Sequence, residues 1–228
     1  MIVRVWERVA RMQVGDRVVV ATDHDEVAAV LRQAGADVIM TDESCGSGTE
    51  RVAAVARHPD FASYDAFVNV QGDEPFIGRG CVAHAAEMVT SGRFELGTAA
   101  APGDASIFSV PTIVKVVLAL DGKAMYFSRA PIPYLRDEAD APARVALTLQ
   151  HIGVYSYTRA ALERWTSLEP HPLEEVERLE QLRPLAHGMA MGVAVVAERP
   201  ESGIDTEDDL QRANRRWAEF AAGEMAWA

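Results

Sequence analysis

The chain has 228 residues, 49% of them hydrophobic, which is enough for one substantial buried core and requires no second domain. Its formal net charge of −12 at pH 7 argues against nucleic acid as a partner, because a phosphate backbone binds faces rich in lysine and arginine. Two cysteines without metal-ligand spacing, and the lack of a long apolar segment, favour a cytoplasmic protein with no membrane partner. We therefore predict a single domain over residues 1–228.

Short valine-rich runs alternate with longer amphipathic stretches, a pattern typical of a layered α/β fold. Helices are predicted at 2–12, 25–34, 48–57, 79–91, 158–167, 173–187 and 206–219. Strands are predicted at 18–21, 37–40, 66–70, 96–101, 113–119, 151–157 and 193–196. Because several strands are apolar on both faces, we expect a mostly parallel mixed sheet covered by helices on both sides. Ligands of such sheets bind beyond the carboxyl ends of the strands, so the loops after residues 21, 40 and 70 are the first candidates for a site.

The most informative segment is 68–75, VNVQGDEP, where an apolar strand leads directly into an amide, a glycine, two carboxylates and a proline. Gly72 permits a close approach of the backbone and Pro75 restricts the turn, so Asp73 is expected at the carboxyl edge of the strand. Two interpretations are equally open from this segment alone: Asp73 is a functional carboxylate, or it caps the helix that follows.

A second acidic segment, 203–210, precedes the last predicted helix. Thr206 and Asp209 have the spacing of a capping box, which makes a well-capped helix the simpler interpretation. Asp205 lies just outside that box and is available as a ligand. Two carboxylates that meet from distant loops repel each other unless a cation lies between them, and Mg²⁺ is commonly held this way together with substrate phosphates.

Segment 45–51, CGSGTER, offers backbone amides and small hydroxyls at a predicted helix start, where an anion or the polar groups of a nucleotide can bind. Ser47 and Glu50 also have the spacing of a plain capping box, which is the favoured interpretation from spacing alone. The sequence contains neither GxxxxGK[ST] nor GxGxxG, so it supports neither a P-loop NTPase nor a nicotinamide dehydrogenase.

Further candidates lie in the second half of the chain. Arg129 precedes a proline-containing turn and could present its planar guanidinium group to a carboxylate, although a solvated surface arginine is the more common case. His151 and Tyr155 lie four residues apart in a predicted strand, so their side chains point to the same face. A buried, hydrogen-bonded pair is the ordinary interpretation of that placement.

Four apolar residues at helical spacing predict that one continuous helix at 173–187 buries a single face. These residues are Leu173, Val176, Leu179 and Leu182. Glu180 and Gln181 lie off this face, so their default expectation is exposure to solvent.

Each of these segments is weak evidence alone, but together they resemble one family, the 3-deoxy-manno-octulosonate cytidylyltransferases, also called CMP-Kdo synthetases. The matching segments follow the family's order and span nearly the whole chain. They are 20–23, 47–51, 69–75, 114–117, 126–133, 151–155, 179–183, 203–205 and 209–210. Their combination is much more specific than any one of them.

The resemblance implies a nucleotide-diphospho-sugar transferase fold and a Mg²⁺-dependent transfer of CMP from CTP to the anomeric hydroxyl of Kdo, with release of pyrophosphate, for lipopolysaccharide biosynthesis. The implied catalytic metal ligands are Asp73 and Asp205. The implied nucleotide-binding residues are Ser47, Gly48 and Thr49. The implied sugar pocket contains Gln71, Arg129, His151, Tyr155, Glu180 and Gln181, with Arg129 pairing with the sugar carboxylate. The family is usually a homodimer, here expected to assemble through a small subdomain at about 123–157.

The family's opening segment is not found in this sequence. Members begin with a strand and a loop of the form PARxxSxRLPGKPL, whose arginine and lysine hold the triphosphate, and the present sequence starts after that point. A central position of the sheet is then expected to be empty, with unpaired backbone groups beside it. Two alternatives stay open: a cytidylyltransferase for a related acidic sugar such as 8-amino-Kdo, and a non-catalytic remnant that binds a nucleotide or a partner chain.

Overall fold

Helices and strands alternate through most of the computed structural model, which describes residues 1–197, 203–204 and 206–221. The helices are α1 (Ile2–Met12), α2 (Asp25–Gln33), α3 (Gly48–Arg57), α4 (Arg79–Thr90), α5 (Ala141–Leu147), α6 (Arg159–Ser167), α7 (Pro172–Glu177), α8 (Leu182–Ala186) and α9 (Glu207–Ala221). The strands are β1 (Val19–Thr22), β2 (Asp37–Met40), β3 (Ala66–Asn69), β4 (Leu96–Pro102), β5 (Lys115–Leu118), β6 (Ala124–Ser128), β7 (Leu149–Thr158) and β8 (Met191–Val195).

Every strand predicted from the sequence is present, with each boundary within two residues of the prediction. Strand β6 was not predicted, because it has no valine run and exposes Met125 between its inward-facing residues. Helix α5 was also not predicted. The helix predicted at 173–187 is wrong as a single element, because the structure divides it into α7 and α8.

Both predicted capping boxes have their hydroxyl caps in place. The Ser47 hydroxyl at the start of α3 accepts a hydrogen bond from Glu50 N at 3.2 Å. At the start of α9, the Thr206 hydroxyl accepts from Asp209 N at 3.2 Å, and the Asp209 carboxylate accepts from Thr206 N at 2.8 Å. These side chains satisfy backbone donors that the first turn of a helix leaves unpaired.

The sheet is mixed, and the expectation that its pairings would be mostly parallel is wrong. Strands β1 and β2 form a parallel pair, while the larger sheet has the order β6-β5-β7-β4-β8, with β3 also paired to β7. Only the β4–β8 pairing of the larger sheet is parallel; β7 runs antiparallel to β3, β4 and β5. Strands that are apolar on both faces indicate cover by helices on both sides, and they do not determine strand direction.

Within the described residues, β1 pairs only with β2, and β3 pairs only with β7. The edges of β1 and β3 that could join the two sheets are therefore not paired with each other. Val19 and Ala21 of β1 still pack against the main core, which α3 contacts as well.

The core has two clusters, one on each face of the larger sheet. Tyr155 and Tyr157 of β7 pack with Trp165 of α6 in the larger cluster. Ile152 and Val154 of the same strand pack against α4 in the other cluster. The alternation of these side chains confirms that the sheet is covered on both faces. In the described part of the chain, no helix is long and apolar enough to cross a membrane.

Candidate active site

The sheet opens along one edge of β7, because β3 and β5 pair with different ends of that strand. Strand β3 pairs with residues 155–158, and β5 pairs with residues 149 and 150. The backbone between these two pairings borders the opening, while the side chains of Ile152 and Val154 are buried in the core. There the Gln71 amide donates to the Gly153 carbonyl at 3.2 Å. A Cβ atom at Gly153 would lie 2.7 Å from Gln71 Nε2, so a side chain at this position would displace the Gln71 amide.

His151 and Tyr155 share one face of β7, as the strand pattern predicts. Their ring centroids are 5.5 Å apart, and Phe127 contacts the His151 ring edge-on at 4.8 Å between centroids. On the other side, Nε2 of His151 lies 2.9 Å from the hydroxyl of Thr98, which is fully buried. Burial lowers the pKa of His151 to about 3, so its imidazole is neutral at pH 7.

Acid is expected to destabilise the fold through His151. Its pKa is about 3 in the folded chain, whereas an unfolded histidine has its ordinary value of 6.5, so between these values only the unfolded chain binds the proton. Stability is therefore fully present above pH 6.5 and is lost as the pH falls towards 3. We expect the free energy of unfolding to fall by about 2 kcal/mol between pH 7.5 and pH 5 from this residue.

The contribution of His151 is measured by urea unfolding of the wild type and of His151→Gln at both pH values. Burial also raises the pKa of Glu180, which changes stability in the opposite direction, but that contribution is common to both proteins and cancels in the difference. An equal pH dependence in the two proteins would show that His151 is not protected from protonation.

Glu180 lies next to the helix start that was predicted to bind a nucleotide. Burial is the main cause that raises the pKa of this carboxyl, while hydrogen bonding with the Ser47 and Thr49 hydroxyls acts in the opposite direction. Its Oε2 atom is buried and has no hydrogen-bond partner among the described residues. Thr49 in turn lies 3.1 Å from the Tyr157 hydroxyl. The predicted nucleotide side and sugar side are thus adjacent.

The prediction that Glu180 and Gln181 are exposed is wrong. Gln181 is buried, and most of Glu180 is enclosed. The cause is the backbone at Arg178, which has a φ of 53° and ends α7 in the left-handed conformation. The prediction assumed one continuous helix, and the break at Arg178 ends that periodicity. Val176 is accordingly 82% exposed, although its spacing predicted burial.

Arg129 is held against the protein by backbone carbonyls. Its Nε donates to the Glu177 carbonyl at 2.8 Å, and its two terminal nitrogens contact the carbonyls of Pro111, Thr112 and Arg178 at 3.1–3.5 Å. The Glu177 carboxylate accepts from Arg129 N at 2.9 Å and from the Ser128 hydroxyl at 2.6 Å. Half-buried and fixed in this way, Arg129 differs from the solvated arginine that its type alone suggests.

Lys115 completes a charged cluster with Arg129 and Glu177. Its side chain is fully buried, and Nζ donates to the carbonyls of Val110, Ile113 and Arg129 at 2.6–3.1 Å. Burial, followed by the charge of Arg129, lowers the pKa of Lys115, and Glu177 counteracts this. Two cationic groups therefore lie near one carboxylate, which itself accepts hydrogen bonds from the Ser128 hydroxyl and Arg129 N.

Sequence reasoning gave no role to Lys115, Glu177 or Thr98. Lys115 lies in the family-like segment 114–117 and is a lone cation in a valine-rich strand, which is a signal that could have marked it as paired. Glu177 and Thr98 carry no such signal, because their partners are distant in sequence.

The loop that carries Asp73 contacts the segment that precedes α9. Ile204 N donates to the Asp73 carbonyl at 3.0 Å, which places the neighbour of residue 205 at this loop. Asp205 itself lies outside the described residues. Gly78, and not Asp73, is the N-cap of α4, so the capping interpretation of Asp73 is wrong. Among the residues that the structure describes, no three His, Cys, Asp or Glu side chains are grouped to hold a metal.

Comparisons with known proteins agree with this architecture. The sequence model of a family described as cytidylyltransferase matches residues 1–191. The 3-deoxy-manno-octulosonate cytidylyltransferase of Gemmatimonas aurantiaca is 55% identical over 216 residues, which cover 95% of this chain and 83% of that protein.

Two solved structures confirm the expected nucleotidyltransferase fold. CMP:2-keto-3-deoxy-manno-octonic acid synthetase complexed with CTP is 32% identical and has a TM-score of 0.86, with 96% of this chain and 87% of that chain covered. The inositol-1-phosphate CTP transferase of T. maritima has a TM-score of 0.63 at 14% identity, with 99% and 84% covered, and shows a shared fold alone. By its sequence and its fold, the chain belongs to the 3-deoxy-manno-octulosonate cytidylyltransferase family of cytidylyltransferases.

Proposed function

We propose that this chain transfers CMP from CTP to the anomeric hydroxyl of Kdo, releasing pyrophosphate, and that it supplies lipopolysaccharide biosynthesis from the cytoplasm. CTP and Kdo as substrates are supported by the names of the Gemmatimonas aurantiaca relative and of the solved synthetase complexed with CTP. The observation that carries the proposal is the placement of Gln71 and His151 at one opening of the sheet, with the buried Tyr155 against His151 and Glu180 close to Tyr155. These side chains supply the hydrogen-bonding groups that a polyhydroxy sugar requires.

The acidic group of the sugar is assigned to the cluster of Arg129, Lys115 and Glu177. Two cations with one carboxylate leave a positive charge, which favours an anionic ligand near Arg129. Arg129 keeps its guanidinium group in one orientation through its carbonyl contacts, so binding requires little further ordering. Gln181, which follows Glu180 and is buried, is assigned to the support of the sugar pocket.

On the nucleotide side, Ser47 and Thr49 already use their hydroxyls within the fold, which leaves Gly48 as the exposed residue of the three. A Cβ atom at Gly48 would lie 3.0 Å from the Asn69 amide nitrogen, so glycine leaves space at the start of α3. The backbone of this helix start is therefore assigned to the cytidine, and the hydroxyls to its positioning.

A magnesium ion is assigned to Asp73 and Asp205. Carboxylate oxygens are the protein ligands that Mg²⁺ prefers, and the hydrogen bond from Ile204 to Asp73 brings the two segments together. When bound, the ion would neutralise phosphate charge and lower the pKa of the attacking hydroxyl. The chain's own residues orient the sugar hydroxyl towards the α-phosphorus, since phosphoryl transfer depends mainly on positioning and charge.

The assay for this function measures pyrophosphate released from CTP and Mg²⁺ in the presence of Kdo. Parallel reactions with 8-amino-Kdo and without sugar distinguish the related substrate from unproductive hydrolysis. Release that depends on Kdo supports the proposal. CTP binding without any sugar-dependent release would favour the non-catalytic remnant instead.

A homodimer is proposed through the region at 123–157. This region exposes large apolar side chains, namely Met125 at 63%, Tyr134 at 85% and Leu147 at 64%, and Leu120 lies beside it, fully exposed. Exposed apolar side chains concentrated in one region are typical of a protein interface.

We expect light scattering of the wild type to give twice the chain mass of 24.8 kDa. The double variant Leu147→Asp, Tyr134→Asp is expected to give the mass of one chain. Exposed Val30→Asp on α2 is the control, and a monomeric wild type would exclude the dimer.

A further inference from the structure

The strand β7 carries a bulge opposite the junction of Thr98 and Ala99. Thr98 is opposite Tyr155, but the next residue, Ala99, is opposite Ile152, so Gly153 and Val154 are additional residues on the β7 side. A bulge of this kind leaves backbone carbonyls without partners in the ladder. The Thr98 hydroxyl lies inside it, 2.7 Å from the Val154 carbonyl and 3.3 Å from the Ile152 carbonyl.

The Thr98 hydroxyl has a single hydrogen. The acceptor to which it donates determines which ring nitrogen of His151 carries a hydrogen. A carbonyl oxygen can only accept, so the 2.7 Å contact with Val154 requires Thr98 to be the donor. The same hydroxyl lies 2.9 Å from His151 Nε2 and has only acceptor capacity left for it. Nε2 must then carry a hydrogen. If Thr98 donated to Nε2 instead, two oxygens would face each other across 2.7 Å without a hydrogen between them.

A neutral imidazole has one N–H, so Nδ1 of His151 is an acceptor. No described residue forms a hydrogen bond with Nδ1, and His151 is partly exposed at the opening. Phe127 and Tyr155 both contact the ring, at 4.8 Å and 5.5 Å between centroids, and restrict its orientation. The nitrogen left for a ligand can therefore receive a hydrogen bond but cannot donate one.

We infer that Thr98 is a positioning residue that fixes His151 as the Nε2–H tautomer, so that Nδ1 accepts a hydrogen bond from a hydroxyl of the bound sugar. The inference about the tautomer stands on the geometry of the bulge, and the inference about the sugar rests on the proposed function. Thr98 touches no substrate in this scheme. It acts through His151 and, through the Val154 carbonyl, on the shape of the opening.

The test uses two substitutions that separate the hydroxyl from the shape of the side chain. Thr98→Ser keeps the hydroxyl, and Thr98→Val keeps the branched shape without it. Nitrogen NMR of the protein labelled with ¹⁵N-histidine reports which ring nitrogen carries the hydrogen, and the signals of His151 among the six histidines are those lost in His151→Gln. We expect Nε2–H in the wild type and in Thr98→Ser, and a mixture of tautomers in Thr98→Val. Circular dichroism checks that each variant is folded.

Kinetics provide the second measurement. Thr98→Val is expected to raise KM for Kdo about tenfold, which corresponds to a tautomer mixture in which about one tenth of His151 keeps the Nε2–H form, with kcat much less affected. The KM of Thr98→Ser for Kdo is expected to stay within about twofold of the wild-type value, because serine keeps the hydroxyl. A purely structural role would not move the tautomer.

The outcomes separate the two proposals. An Nδ1–H tautomer in the wild type, or an unchanged Nε2–H tautomer in folded Thr98→Val, overturns the role of Thr98. If the tautomer depends on Thr98 but Kdo leaves the His151 Nδ1 signal unchanged, the positioning role stands and the sugar assignment fails. A Kdo-induced shift of Nδ1 in the wild type that is lost in Thr98→Val supports both.

Discussion

Replacing Asp73 by asparagine is expected to abolish CMP transfer while the fold remains intact. The change removes one negative charge from the proposed magnesium site and keeps the size of the side chain. We expect kcat/KM to fall roughly a thousandfold or more, about 4 kcal/mol, because a metal ion contributes several kcal/mol to charge stabilisation in the transition state. Asp205→Asn is expected to give the same loss. Pyrophosphate release measures both.

Glu163→Gln is the matched control, since it makes the same chemical change at an exposed position of α6. It should leave activity unchanged. Isothermal titration of Mg²⁺ in the presence of CTP adds a readout that does not depend on turnover, and both aspartate variants should bind the ion more weakly. Near-normal turnover in either aspartate variant would remove that residue from the metal site.

Replacing Glu177 by alanine is expected to weaken both the fold and the sugar pocket. The substitution removes the acceptor of the Ser128 hydroxyl and of Arg129 N, and takes away the negative charge that acts on the buried Lys115. We expect the free energy of unfolding to fall by about 2–4 kcal/mol, the usual effect of leaving buried polar and charged groups unpaired. KM for Kdo should rise about tenfold, because the backbone at Arg129 loses its hydrogen bond to the Glu177 carboxylate and can shift the guanidinium group, although the carbonyls that bind that group remain.

Two variants test whether this effect belongs to the cluster. Glu175→Ala changes an exposed carboxylate in the same helix, α7, and should leave stability and KM unchanged. Glu177→Gln keeps an acceptor oxygen but loses the charge, so its effect should be intermediate. If Glu177→Ala unfolds at the same urea concentration as Glu175→Ala, the cluster contributes no net stability and the explanation is wrong.

Local sequence patterns predicted the positions of the strands but not their directions. Short apolar runs predicted seven of the eight described strands to within two residues, because such runs are a local property. The direction of β7 against β3, β4 and β5 depends on contacts between residues far apart in sequence. Apolar character on both faces is the same for parallel and antiparallel strands, and the prediction of a mostly parallel sheet failed for that reason.

The amino-acid sequence by itself determined the family, most strand and helix positions, the capping boxes at Ser47 and Thr206, and a set of candidate polar residues. These features depend on residue identity and short spacing, which the chain carries whatever its conformation. Tertiary structure alone decided that Glu180 and Gln181 turn inwards after the left-handed residue Arg178, and that Glu177 and Thr98 support Arg129 and His151. Burial, tautomer and charge pairing arise from groups brought together across the fold, so no local pattern contains them.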